Sequence, residues 1–193
     1  MKSGKPLFFV LILVAAMGVV SLASADMTEK EKTTARQDVQ KMANKTLNQL
    51  YQTQPKAKQA VAKAAGYAVF SNFGLKIFLA GSGKGTGLAV NNRTKATTYM
   101  KMFEVQAGLG FGIKKFKLVW VFENQKDFDD FVNSGWELGA QASASAKTGD
   151  EGGGLEGAMS VSPGVWLYQL TDDGLALELT AKGTKYYKDD DLN

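Results

Sequence analysis

The chain is 193 residues long, has no cysteine and no histidine, and carries 23 Lys/Arg against 19 Asp/Glu for a net charge of +4. Without His or Cys there is no side chain poised near neutral pH for triad-type nucleophilic catalysis, no disulfide framework and no good zinc donor set, so no catalytic residue, metal ligand or cofactor is expected. The small net charge, and basic residues without interleaved aromatics, argue against a nucleic-acid partner.

Residues 1–25 read as an address. Lys2 and Lys5 precede an almost wholly apolar run, Leu7 to Val20, and Ala23-Ser-Ala25 has the small-x-small pattern of a signal-peptidase site. Cleavage after Ala25 would start the mature chain at Asp26. The other reading is an uncleaved anchor, against which stands the run's shortness relative to the roughly 20 apolar residues that span a bilayer. In a Gram-negative bacterium this address is the periplasm, with the protein free or peripheral on a membrane. Residues 26–193 are then a single domain, with a helical region over 26–65 and a mainly β region over 66–193.

The helical region holds the basic charge: eight Lys/Arg against four acids within 26–65. Val39, Met42, Ala43, Leu47 and Leu50 recur at helical spacing and predict one apolar face, with Lys41, Lys45 and Asn48 elsewhere on the wheel. Asp26, Glu29 and Glu31 gather at the start, where the helix dipole favours them. Pro55 stops this helix and can open a second, which carries Ala57, Ala60, Val61 and Ala64 as its stripe and ends at Gly66.

Beyond Gly66 the pattern turns to short alternating runs. Strands are predicted near 67–71, 75–81, 86–91, 95–105, 106–112 and 116–123, with Asn91-Asn92 as a hairpin turn. A short helix over 124–133 should turn Phe128, Phe131 and Val132 inward. Strands resume near 136–147, 155–161, 164–171 and 174–185, with Thr171-Asp-Asp-Gly174 as a tight connection. Residues 148–154 look like a flexible loop, and 188–193 like a solvated acidic tail rather than a calcium site.

Two stretches invite a functional reading. Gly81-Ser-Gly-Lys-Gly-Thr-Gly87 resembles a phosphate cradle, but it lacks the Walker A and dinucleotide spacings and precedes a strand rather than a helix. Either it is a flexible hairpin joining 75–81 to 86–91, or Lys84 and exposed backbone N–H groups meet a lipid phosphate. Residues 136–147 place Trp136, Leu138 and a series of alanines on one side of a strand. That small-residue side can receive a helix of the same domain or an acyl chain.

Taken together, Ala64-Ala-Gly-Tyr-Ala-Val-Phe70, the glycine stretch, Leu118-Val-Trp-Val-Phe122 followed by Asp127-Phe128, Trp136-Glu-Leu-Gly139, and Gly174-Leu-Ala with Tyr186-Tyr187 resemble the SYLF lipid-binding domain family in order and spacing. The resemblance runs from about Ala35 to the C-terminus. Family members contact membranes through an N-terminal amphipathic helix and basic residues, which implies Lys30, Lys32, Arg36, Lys41 and Lys45, with Lys84, as lipid-binding residues here. Eukaryotic relatives bind phosphoinositides and, in fungi, actin. With a secretory signal and no SH3 domain, this chain is not expected to share those partners.

The expected fold is α+β: N-terminal helices packed on a curved, mainly antiparallel sheet, with a partly closed barrel as its limiting form. The expected function is non-catalytic phospholipid or membrane-surface binding in the bacterial cell envelope. The alternative is a structural or scaffolding envelope protein that binds another protein through the sheet region.

Overall fold

A computed structural model describes residues 27–77, 80–107, 112–138, 155–172, 174–176 and 184–193. The leader predicted over 1–25 and the loop predicted over 148–154 lie outside them.

Helix α1 spans Glu29–Thr53 and starts with a capping box: Thr28 Oγ1 accepts the Glu31 N–H, and the Glu31 carboxylate accepts the Thr28 N–H at 2.8 Å. Val39, Ala43, Leu47 and Leu50 are buried as predicted, joined by Thr46, whereas Met42 is only half-buried. Pro55, at φ −59 and ψ −32, caps α2 (Lys56–Lys63), which buries Ala57 and Val61. The chain is already extended at Ala64, so Gly66 does not terminate the helix. It opens strand β1 (Gly66–Ile77), where a Cβ would overlap the Phe128 ring.

The long hairpin departs from expectation. Instead of two short strands and a glycine loop, β1 pairs residue for residue with β2 (Ala80–Asn91), so Gly81–Gly87 is strand throughout. The glycines serve packing: a Cβ on Gly85 would lie 2.5 Å from Met102 Cγ and 2.6 Å from the Ser71 carbonyl, and one on Gly87 would overlap Phe70 and the Val69 carbonyl. The Asn91-Asn92 turn is wider than a two-residue hairpin, and Lys95 takes the left-handed conformation. Asn91 Oδ1 accepts the N–H groups of Arg93 and Thr94, and Asn92 Nδ2 donates to the carbonyls of Val61 and Ala64 at the end of α2.

Strands β3 (Thr97–Ala107) and β4 (Gly112–Phe122) absorb the ends of the separate strand predicted over 106–112. Helix α3 (Gln125–Asn133) is capped by Asn124, whose Oδ1 accepts the Asp127 N–H at 2.9 Å, and buries Phe128, Phe131 and Val132. Of the predicted strand 136–147, β5 (Trp136–Leu138) is seen and the alanine series lies outside the described residues. Strands β6 (Met159–Ser162) and β7 (Val165–Thr171) follow. Of the predicted strand 174–185, β8 (Gly174–Ala176), which pairs with β7, and the start of β9 (Thr184–Lys188), which pairs with β3, are described, and 177–183 lie outside the described residues.

All described pairings are antiparallel, in the order β5-β9-β3-β2-β1-β4-β7-β6. The sheet is curved into a half-barrel. Three strands separate β9 from β4, which at about 4.8 Å per step would hold them roughly 19 Å apart if flat. Yet the Trp120 and Tyr186 ring centroids are 5.2 Å apart. Curling gives the sheet two cores. On the concave side α3 closes over Phe70, Met100, Met102, Trp120, Phe122 and Tyr186. On the convex side α1 and α2 cover Val69, Leu88, Tyr99, Val119 and Tyr168. The fold is therefore α+β, with N-terminal helices on a curved antiparallel sheet.

The C-terminal residues are docked, not solvated. Asp189 and Leu192 are buried, Arg36 Nε donates to the Leu192 carbonyl at 2.8 Å, and the Asn193 amide exchanges hydrogen bonds with the Tyr99 backbone.

Candidate functional site

Side chains alternate across each strand, so the registers define rows on the convex face. One row, Tyr99–Leu88–Val69–Val119–Tyr168, crosses β3, β2, β1, β4 and β7 and is wholly buried beneath α1. The next row along the strands is Lys101–Thr86–Ser71–Lys117–Leu170, and the one after places Phe103, Lys84 and Lys115 on β3, β2 and β4. Rows on one face stand about 6.7 Å apart, and a helix with its side chains is about 10 Å wide. Helix α1 therefore covers the apolar row, leaves the next one partly exposed beside it, with Leu170 still buried, and leaves Phe103, Lys84 and Lys115 of the last row exposed.

The result is a groove of about 780 Å³, walled on the helix side by Met42. Four lysines line it (Lys84, Lys101, Lys115 and Lys117), against the single carboxylate of Asp172. Its floor carries the Ser71 and Thr86 hydroxyls, and its outer edge Phe103 and Tyr187. These two rings, 37% and 40% exposed, are the exposed large hydrophobic side chains among the described residues.

The lysines differ in their surroundings. Lys117 Nζ donates to Gln49 Oε1 at 2.8 Å, and Gln49 in turn donates to the Thr171 carbonyl. Lys101 Nζ lies 2.8 Å from Asp189 and 2.9 Å from Asp191, which raise its pKa to about 12. Lys84 is exposed and has no ion pair or side-chain hydrogen bond among the described residues.

A pH prediction follows from the docked tail. The hydrogen bond and charge of Lys101 hold Asp191 below the usual carboxylate range. A depressed carboxylate adds stability above its unfolded pKa, about 3.9, and loses it as pH falls through the lower folded value. The raised Lys101 pKa adds stability at neutral pH and loses it as pH climbs through about 12. Urea midpoints should therefore fall on acidification below about pH 4, and Asp191→Asn should flatten part of that decline. An identical acid profile in the variant would show that the Lys101–Asp191 contact contributes nothing in solution.

The six residues implied by the family resemblance do not converge. Lys84 lines the groove, whereas none of the five on α1 does. Lys30 and Lys45 are exposed, Lys32 lies 3.6 Å from Glu29, Lys41 lies 3.8 Å from Asp38, and Arg36 holds the C-terminal segment. The residues sequence reasoning missed are Lys101, Lys115, Lys117, Phe103 and Tyr187. A usable signal existed in Lys115-Phe-Lys-Leu118, whose period-two lysines share a strand face.

The described residues contain no group of three or more His, Cys, Asp or Glu able to hold a metal ion, and no described helix is long and apolar enough to cross a membrane.

Residues 103–193 match the family model Ysc84, described as "Las17-binding protein actin regulator". The chain is also 37% identical over 158 residues to "Beta cell expansion factor A" of Aeromonas veronii, an alignment covering 82% of this chain and 59% of that protein. The chain thus spans about three-fifths of that relative's length. These similarities give a broad link to the Ysc84/SYLF family, carried by β4, α3 and the strands that follow. That family is known as a non-catalytic lipid-binding and actin-regulatory module.

Proposed function

We propose that this protein binds anionic phospholipid at a membrane surface of the bacterial cell envelope, meeting the bilayer with the mouth of the groove. The observation that carries this reading is the joint placement of Phe103 and Tyr187 with Lys84 and Lys115 on one uncovered face. The link to the Ysc84/SYLF family supports a lipid- or membrane-associated, non-catalytic role. The leader read in residues 1–25 supports the envelope and, with it, a setting without actin.

Magnitudes favour the groove over charge alone. Each lysine near an anionic surface contributes about 1 kcal/mol. Lys101 is already neutralised by Asp189 and Asp191, so Lys84, Lys115 and Lys117 together contribute about 3 kcal/mol. That alone corresponds to a Kd of about 6 mM. Insertion of two rings, each already more than half buried, adds about 1 kcal/mol apiece. The sum of about 5 kcal/mol corresponds to a Kd of about 0.2 mM.

Flotation with phosphatidylglycerol and phosphatidylcholine vesicles at low and high salt tests the reading. The protein should float with the anionic vesicles only, and less at high salt, where exposed charges are screened. Lys84→Glu with Lys115→Glu swings four charges and should weaken binding by about tenfold or more. Lys41→Glu with Lys45→Glu should leave it within about threefold, since those side chains lie outside the groove. The reverse ranking would move the contact to α1, and no flotation in any condition would remove the proposal.

A further inference from the structure

The geometry points to a ligand that the groove holds one molecule at a time: a single-chain anionic amphiphile, with its phosphate or carboxylate among the lysines and its alkyl chain along the apolar lining. This rests on the membrane-binding reading in that the same lysines serve both.

Size, polarity and unused hydrogen-bonding capacity each support it. At about 780 Å³ the groove is a site for one small molecule, within the roughly 300–1,000 Å³ typical of such pockets. A flat docking surface for a bilayer needs no such depth. The groove is also divided in character. Met42, Phe103 and Tyr187 supply apolar surface, while Lys84, Lys115 and Lys117 stand with Lys101, which is paired with Asp189 and Asp191, against Asp172.

The polar centre is specific in its chemistry. Lys117 already faces an amide oxygen and Lys101 two carboxylates. Lys84, Thr86 and Ser71 have no side-chain partner among the described residues. Thr86 lies two positions along β2 from Lys84, about 6.7 Å, and Ser71 is its direct partner on β1, about 4.8 Å away. One ammonium and two hydroxyl donors, none with another side-chain partner among the described residues, thus stand on neighbouring positions of the groove floor. A cationic amphiphile would meet the like charges of Lys84, Lys115 and Lys117 there.

The test uses n-octyl, n-decyl and n-dodecyl phosphate below their micelle concentrations, followed by native mass spectrometry and titration calorimetry on the purified protein. One molecule should bind per protein. Affinity should rise about fourfold for each added methylene, the gain from burying one CH₂, and level off once the chain outgrows the groove. Alkyltrimethylammonium of equal length should not bind, and inorganic phosphate should bind far more weakly than decyl phosphate. Lys84→Glu should weaken decyl phosphate by tenfold or more, and Thr86→Trp, which fills the floor from an exposed position, should block it.

If no saturable 1:1 complex forms while vesicles still float the protein, the inference fails and the membrane-surface reading stands. If the 1:1 complex forms without flotation, the inference stands and that reading falls. A 1:1 complex indifferent to both Lys84→Glu and Thr86→Trp overturns the groove as its site. So does a protein dimer appearing in place of the complex.

Discussion

Trp120→Ala should be among the most damaging single substitutions in this chain, costing about 3–5 kcal/mol. At this chain length that is a fall in Tm of about 6–20 °C. Trp120 is fully buried on β4 and joins three elements: its ring stacks on Phe122 at 6.2 Å, tilts against Phe131 of α3 at 5.4 Å, and meets Tyr186 of β9 edge-on at 5.2 Å. The last contact holds the curl of the sheet. Removing the indole leaves a cavity between strands that the hydrogen-bond ladder alone would keep far apart. Trp166→Ala is the control, because that ring is half-buried and its Nε1 donates to Glu123 at the surface. Thermal unfolding should separate the two variants clearly. Equal, small losses in both would mean that the concave core is not packed as described.

Gly87→Val should cost about 3 kcal/mol or more, above the usual 1–3 for overpacking because backbone stands in the way. Gly87 has ordinary strand geometry, so nothing in its own φ opposes a side chain. The obstacle is space: a Cβ would overlap the Phe70 ring, with Phe70 Cγ at 2.7 Å, and the Val69 carbonyl of the paired strand. A carbonyl in a ladder cannot retreat without opening the β1–β2 hairpin, and Phe70 is fully buried against Tyr186. The neighbouring exposed Thr86→Val should change stability by no more than about 0.5 kcal/mol. This pair of substitutions separates the two meanings of the glycine-rich stretch. Were it a mobile phosphate loop, Gly87→Val would leave the melting curve in place and impair only ligand binding.

Much of the fold was legible because its signals are local. The α1 stripe and the Phe128/Phe131/Val132 face of α3 each lie within a few residues of one another, where helical periodicity acts directly. The errors fell where a distant element decides. Gly66 looked like a helix end and is instead a gap for the Phe128 ring. Gly81–Gly87 looked like a loop and is a strand, its glycines left bare for Met102 and Phe70. The acidic C-terminal residues looked solvated and are pinned by Lys101 and Arg36, which lie far away in sequence.

The candidate site divides in the same way. By itself, the sequence determined that the chain has neither His nor Cys, that it carries its basic charge early, and that it builds helices before strands, because composition and periodicity are properties of neighbouring residues. Only the tertiary structure decided which lysines act together. Lys84, Lys101, Lys115 and Lys117 stand on three strands whose antiparallel register sets them around Ser71 and Thr86, while α1 is wide enough to cover the apolar row and too narrow to cover theirs. A groove made from the edge of one element and the register of others has no counterpart in any local stretch of sequence.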